Sequence, residues 1–387
     1  MELIKKEGKK LWISPRIVAW FMGIGMVLFC IHNSSLTLSS TDGATYFFLP
    51  WIGIAILLIG IMFLSSKEDF HWDFGKKKIY IPMLIILACT AISGFVNYSF
   101  MDALAGIIFM GALVLLYAIS RVLGDDIFIA FIPAVIIEAI SCVVIGNSGV
   151  RNGGIISITN YDISTGLLVF GSLVSAYKGR WWLVSIAIVG LFFTGAEEGL
   201  LGVAVTFVAV LCNRDWNRKL LLPIGTLILL LVICTPLGIT QKLYAPFIEK
   251  IGLAQEAIVT QDINKDSQLL EEASGYRWVT HWNLEINNAK DLFIGHGYNI
   301  GEFYHGIQHH VILLIIYQIG IVAALAWLWI TGYALFKFRG KSYVLIAVVM
   351  LSGFDHYFWT QVAPWWWAMI GVASTQVKQE YIFKDRR

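Results

Sequence analysis

Six of the eight histidines, His281, His296, His305, His309, His310 and His356, fall in the last third of the chain, five of them within 30 residues. Imidazoles titrate near neutral pH, so such a cluster could supply a general base or bind an anion, while any single one could equally be a solvated surface residue. His305 and His309 stand four apart, which puts two imidazoles on one helix face and suits zinc. A zinc hydrolase of that pattern needs a glutamate directly after the first histidine, and here the position is Gly306, so no metal site is expected. Nor do thiols provide one. Cys30, Cys89, Cys142, Cys212 and Cys234 all lie in apolar runs, as small core residues rather than disulfide partners or thiolate ligands.

The elements that would position these side chains are membrane spans. Of 387 residues 58% are apolar and 14% charged, with mean hydropathy +0.72. A soluble domain carries roughly 25% charged residues, so a soluble enzyme is excluded. A net charge of +2 gives no reason to expect a nucleic-acid partner. Runs of about 20 apolar residues are long enough to cross a bilayer, and twelve candidates begin near residues 16, 46, 79, 103, 127, 161, 181, 198, 220, 310, 343 and 357. The first follows Lys5, Lys6, Lys9 and Lys10 like a signal peptide. No small-residue cleavage site follows Cys30 and another span soon does, so it is expected to be retained.

With the amino terminus inside, 22 of the 28 Lys and Arg residues fall in inner segments, as the positive-inside rule requires. Both termini are then cytoplasmic. The expected organisation is a nine-span region (1–237), an extracytoplasmic loop (238–308), a three-span region (309–376) and a cytoplasmic tail (377–387), in the cytoplasmic (inner) membrane with membrane lipids as partners. A loop that long is more than a connector. Leu243, Phe247, Ile251, Ala254 and Ile258 recur at helical spacing, as do Trp278, Trp282, Ile286, Ala289 and Phe293. Each stretch could lie flat on the outer surface or cap the bundle.

Charged groups near the outer membrane face are costly and so are functional candidates. Arg151, Asp162, Glu197, Glu198, Arg277, Glu302 and Asp355 map there. Glu197 and Glu198 stand in the tight turn Thr194-Gly195-Ala196-Glu197-Glu198-Gly199, where they could orient a cation or accept a proton, or serve only solubility. Glu138 is mid-span and expected to be buried with a hydrogen-bond partner.

Near the end of the long loop the chain runs Arg277-Trp278, then Leu292-Phe293-Ile294-Gly295-His296-Gly297, then His309-His310, nine residues and Gly320. This order resembles the O-antigen ligase and O-antigen polymerase superfamily, whose hallmark is an arginine, a Gly-x-Gly turn, and a histidine commonly followed by Asn, Ser or Gln, then nine residues and glycine. Asn152 to Asn160, Thr194 to Gly202 and Asp355-His356 are weaker echoes, and the resemblance spans about residues 151 to 375. Two positions depart from the pattern. His310 stands where the family places Asn, Ser or Gln, and Glu198 stands where it usually has an arginine just before the glycine.

The resemblance implies an all-α integral membrane protein of glycosyltransferase C-like kind. It would transfer a glycan from an undecaprenyl-pyrophosphate-linked donor to a glycan or lipid acceptor, without nucleotide sugar, cofactor or metal. On this implication Arg277 grips the pyrophosphate and His309 takes the acceptor proton or holds the phosphate. Arg151, Glu197, Glu198, His296, His310, Asp355 and His356 would line the substrate site. A pyrophosphate grip cannot carry over to Glu198, so Arg151, Lys290 or another cation compensates, or the substrate differs. Ligase and polymerase are not separated. The rival class is a transporter or exporter of lipid-linked glycan or small solute, which internal repeats and midplane ionisable groups would favour; no repeat is visible.

Overall fold

The structure is a computed structural model and describes residues 15–30, 48–66, 72–97, 100–146, 153–157, 161–177, 179–212, 221–260, 268–269, 272, 286–297, 310–337, 348–349, 351–353, 358–360 and 362–384. Among them the regular elements are all helical. In chain order they are α1 (Pro15–Cys30), α2 (Phe48–Ser65), α3 (Lys77–Asn97), α4 (Phe100–Leu123) running into a 3-10 turn (Gly124–Phe128), α5 (Phe131–Gly146), α6 (Tyr161–Tyr177) and α7 (Trp181–Thr194). Then come α8 (Glu197–Cys212), α9 (Leu221–Cys234), α10 (Ile239–Thr260), α11 (Ala289–Phe293), α12 (Val311–Ile319), α13 (Ile321–Lys337) and α14 (Ala363–Lys384).

Polarity is arranged as lipid surroundings demand. Ile59, Met62, Ile228, Leu229 and Val232 are more than half exposed, while Thr90, Ser93, Ser120, Ser141, Ser172 and Ser175 are buried. Their hydroxyls need partners in an apolar interior, and Thr90, Ser172 and Ser175 bond back to carbonyls three or four residues earlier. Where α1 crosses α2, a Cβ on Gly53 would stand 2.5 Å from the Gly25 carbonyl oxygen, so only glycine permits this approach.

Among the described residues, Lys77–Asn97 and Ala103–Phe128 are long and apolar enough to cross a membrane unaided. The pair α9–α10 would be a third, but its axis bends by 101°. The other apolar helices do not meet that test within the described residues. Hydropathy does not register backbone breaks. The run expected as one span from near residue 310 is two helices, α12 and α13, divided at Gly320.

Local chemistry explains several joints. Pro82 inside α3 has no N–H, so the Lys78 carbonyl loses its helical donor. Trp329 Nε1 of α13 supplies the missing bond at 2.9 Å. Arg121 is in the last turn of α4 with its side chain 5% exposed, paired with Asp73 at 3.0 Å and donating to Ser374 Oγ of α14. Charge counting treats it as a loop cation; it is instead an internal tie between α4, the segment before α3 and α14. Trp365 of α14 lies 4.0 Å from Phe131 of α5 and 6.3 Å from Phe170 of α6, ring centre to ring centre, which locks the two halves of the bundle together.

The first amphipathic stretch of the long loop forms α10. Leu243 and Tyr244 pack inward, with Tyr244 Oη donating to the Phe192 carbonyl at 3.0 Å. Ile248 and Ile251 farther along are exposed. The helix thus caps α7 with its first turns and presents apolar residues beyond. Of the second stretch, Ala289 and Phe293 belong to α11 and Ile286 precedes it, while Trp278 and Trp282 lie outside the described residues.

Candidate functional site

The Gly-x-Gly turn and Gly320 are two halves of one backbone junction. Asn288 caps α11, its Oδ1 accepting from Asp291 N at 3.0 Å, and Asp291 answers by accepting from Asn287 N at 3.0 Å. The chain then turns through Gly295 and Gly297, at φ 73° and 110°. This turn lies on the end of α12, whose last carbonyls have no partner within the helix. His296 N donates to Tyr317 O at 2.7 Å and Gly297 N to Gln318 O at 2.9 Å. A Cβ on Gly320 would fall 2.1 Å from Phe293 O, and one on Gly295 2.5 Å from the Gln318 carbonyl carbon.

Helix α3 braces the junction. Ser93 Oγ donates to Gln318 O at 2.8 Å and Asn97 Nδ2 to Gly295 O at 2.9 Å. Gln318 Oε1 accepts from Trp359 Nε1 at 2.8 Å, and the His296 ring rests 4.5 Å from that of Tyr317. Sequence reasoning missed Ser93, Asn97 and Gln318. Their signal was present as polar residues within otherwise apolar runs.

At its other end α12 folds back along α13. His310 and Ile312 line one cavity with Trp327, Thr331 and Leu335, of about 180 Å³. In a continuous helix residues 310 and 335 would stand more than about 30 Å apart at 1.5 Å per residue. The far wall includes Ser352, whose carbonyl accepts from Val311 N at 2.8 Å. His310 is not itself helical. It is the N-cap, with Nδ1 accepting from Ile312 N at 3.2 Å and Leu313 N at 3.5 Å. Nδ1 can accept these bonds only while it is unprotonated.

A second polar centre lies between α5 and α6. Glu138 is fully buried, as expected, and its carboxylate accepts from Gly154 N at 3.1 Å, Ile156 N at 2.8 Å and Ser157 N at 3.3 Å, and from Ser164 Oγ. Ser141 Oγ accepts from Ile155 N at 2.9 Å. The turn 153–157 is thereby drawn down between the helices. Close approach requires glycine at 154, where a Cβ would meet Glu138 Oε2 at 2.5 Å.

The Glu197-Glu198 turn opens α8, which packs on α6 at Thr165, beside Ser164, and on Leu351. Gly195 closes α7 at φ 70°, and the two glutamates open α8, half-buried, where the positive end of the helix favours acids. Gly199 packs on Thr165 of α6, and Gly202 on Leu351, the residue before Ser352. Of the expected site residues, Glu197, Glu198, His296 and His310 are thus placed. His296 and His310 belong to opposite ends of α12, about 14 Å apart along a nine-residue helix, and do not share one contact shell. Lys290, a candidate for the missing cation, is exposed on α11. Arg277, His309, Arg151, Asp355 and His356 lie outside the described residues, as do His281, His305 and Glu302. No protein-family model matches the chain, and no curated protein matches it.

Proposed function

We propose that this chain is a membrane-embedded glycosyltransferase that moves a glycan from an undecaprenyl-pyrophosphate-linked donor to a glycan or lipid acceptor, as an O-antigen ligase or polysaccharide polymerase does. The observation that carries the reading is the glycine junction: two distant parts of the motif meet in space, Gly295 pressed against Gln318 and Gly320 against Phe293, and His310 is held at the far end of the intervening helix. The proposed setting is the cytoplasmic membrane, crossed about twelve times, with both termini inside and the site reached from the outer face.

In the proposed reaction the acceptor hydroxyl attacks the anomeric carbon, the bond to the pyrophosphate oxygen breaks, and the lipid pyrophosphate leaves. Arg277 binds that leaving group as a bidentate fork and offsets its growing charge. His309 takes the hydroxyl proton. Arg151, Glu197, Glu198, His296, His310, Asp355 and His356 contact donor or acceptor. Metal is not required, so activity persists in chelator.

The rival, a transporter, draws support from the helix break at Gly320 and the buried Glu138. Against it, Glu138 already accepts four hydrogen bonds and turns its oxygens toward donors, leaving little room for a travelling cation. The deciding experiment incubates purified protein with lipid-pyrophosphate glycans and candidate acceptors. A new glycosidic product in the presence of chelator is expected; solute flux in vesicles with no such product overturns the reading. Arg277→Ala is expected to weaken donor binding and turnover, with poor rescue by Lys. His309→Ala should lower turnover about 100- to 10,000-fold with donor binding nearly kept.

A further inference from the structure

At the end of the bundle that charge bias assigns to the cytoplasm, a cavity of about 70 Å³ opens between the start of α1, the 3-10 turn and the α6–α7 connection. Four charged side chains line it: Arg16, Arg180, Asp125 and Asp126. Its floor is apolar, with Phe131 and Leu183. Ile17, next to Arg16, and Trp182, two residues after Arg180, are 58% and 48% exposed, so apolar surface continues outward from the rim.

The charges sum to zero, which decides the ligand class. An anion alone would meet two carboxylates, and a cation alone two guanidiniums; either leaves a repulsive pair. A zwitterion with its charges a few ångströms apart satisfies both signs. The apolar rim calls for hydrocarbon attached to it. We propose that this cavity binds the phosphoethanolamine headgroup of a membrane phospholipid, the phosphate on Arg180 beside Arg16, the ammonium on Asp126 beside Asp125, and the acyl chains along the apolar rim.

Size and hydrogen bonding sharpen the choice. At about 70 Å³ the cavity takes the two-carbon arm and its primary ammonium, with the phosphate at the mouth. A trimethylammonium is bulkier and has no N–H to donate to the aspartates. Guanidiniums engage phosphate oxygens through paired hydrogen bonds that a lysine cannot reproduce. The site is separate from glycan transfer, and its test does not involve transfer.

The test measures lipid retained by the full-length protein after exchange into detergent, using native mass spectrometry with phosphatidylethanolamine, phosphatidylcholine and phosphatidylglycerol of identical chains. Wild type is expected to retain the ethanolamine lipid about tenfold better than either other. Asp126→Asn should erase that preference, and Arg180→Gln should lower retention of all three. Lys242→Gln, on α10 at the opposite end, is the control and should change nothing. Circular dichroism and gel filtration establish that each variant is folded, and Arg180→Lys, which keeps the charge, replaces Arg180→Gln if that variant fails, with partial loss expected. Equal retention of the three lipids by wild type, or an ethanolamine preference that survives Asp126→Asn, overturns the proposal: the four charges then serve only to pair with one another.

Discussion

His310 carries a role that its spacing alone does not reveal. As N-cap of α12 it accepts hydrogen bonds through Nδ1, the task that Asn and Ser perform at helix starts. The resemblance places those residue types at this position, and the fold supplies a physical reason for them. His310→Asn is therefore expected to leave thermal stability in detergent almost unchanged, whereas His310→Ala should cost about 1 kcal/mol. The pH dependence has a definite sign. Protonation of Nδ1 removes the acceptor that holds Ile312 N and Leu313 N. The contribution of His310 is present above about pH 6.5, the ordinary histidine value, and is lost as pH falls below it. Thermal melts of wild type and His310→Asn should diverge below that pH; parallel curves would refute the cap. Glu138 presents the reverse case of legibility. That it must be buried with a partner followed from its place in an apolar run, but which partner did not, because its donors come from Ser164 of α6 and from a turn 16 to 19 residues away whose descent between helices leaves no periodic mark.

Among elements, amphipathic spacing led correctly to α10 and apolar runs to most helices, whereas the division at Gly320 was hidden. A glycine within an apolar run reads equally well as a small residue at a helix crossing, as Gly53 is, or as a backbone break. What distinguishes Gly320 is the Phe293 carbonyl pressed against it, a contact 27 residues distant in sequence. Gly320→Ala and Gly295→Ala each force backbone apart and are expected to destabilise by roughly 2–3 kcal/mol, within the range for strain imposed on packed structure. Combined, they should cost less than the sum, since both open the same junction. Additive melting shifts would mean that the two glycines act at independent places. Gly332→Ala, on α13 with open space at its Cβ position, is the matched control and should not destabilise.

For the molecule as a whole, composition points to apolar surroundings, which the apolar helices fit, and charge bias predicts a sidedness; both are averages over many residues and tolerate local surprises. Arg121 illustrates the tolerance: it is buried in a helix end, yet moving one cation out of the inner count leaves the asymmetry intact. The depth of each element was not legible, since a bend of 101° between α9 and α10 and a folded-back α12 present the same hydropathy as straight spans. Orientation can be measured directly. Reporters fused after Lys78, Arg180, Lys219 and Lys341 are expected to read cytoplasmic, and those within 240–300 external. The bend gives this outcome a second use. If α10 turns out of the bundle at the outer surface, reporters at 245 and 260 read the same side, because a helix lying across the membrane face does not change compartments. If they read opposite sides, α10 crosses the membrane and the segment that follows it, which carries Arg277, starts from the cytoplasm, where the proposed transfer at the outer face could not occur.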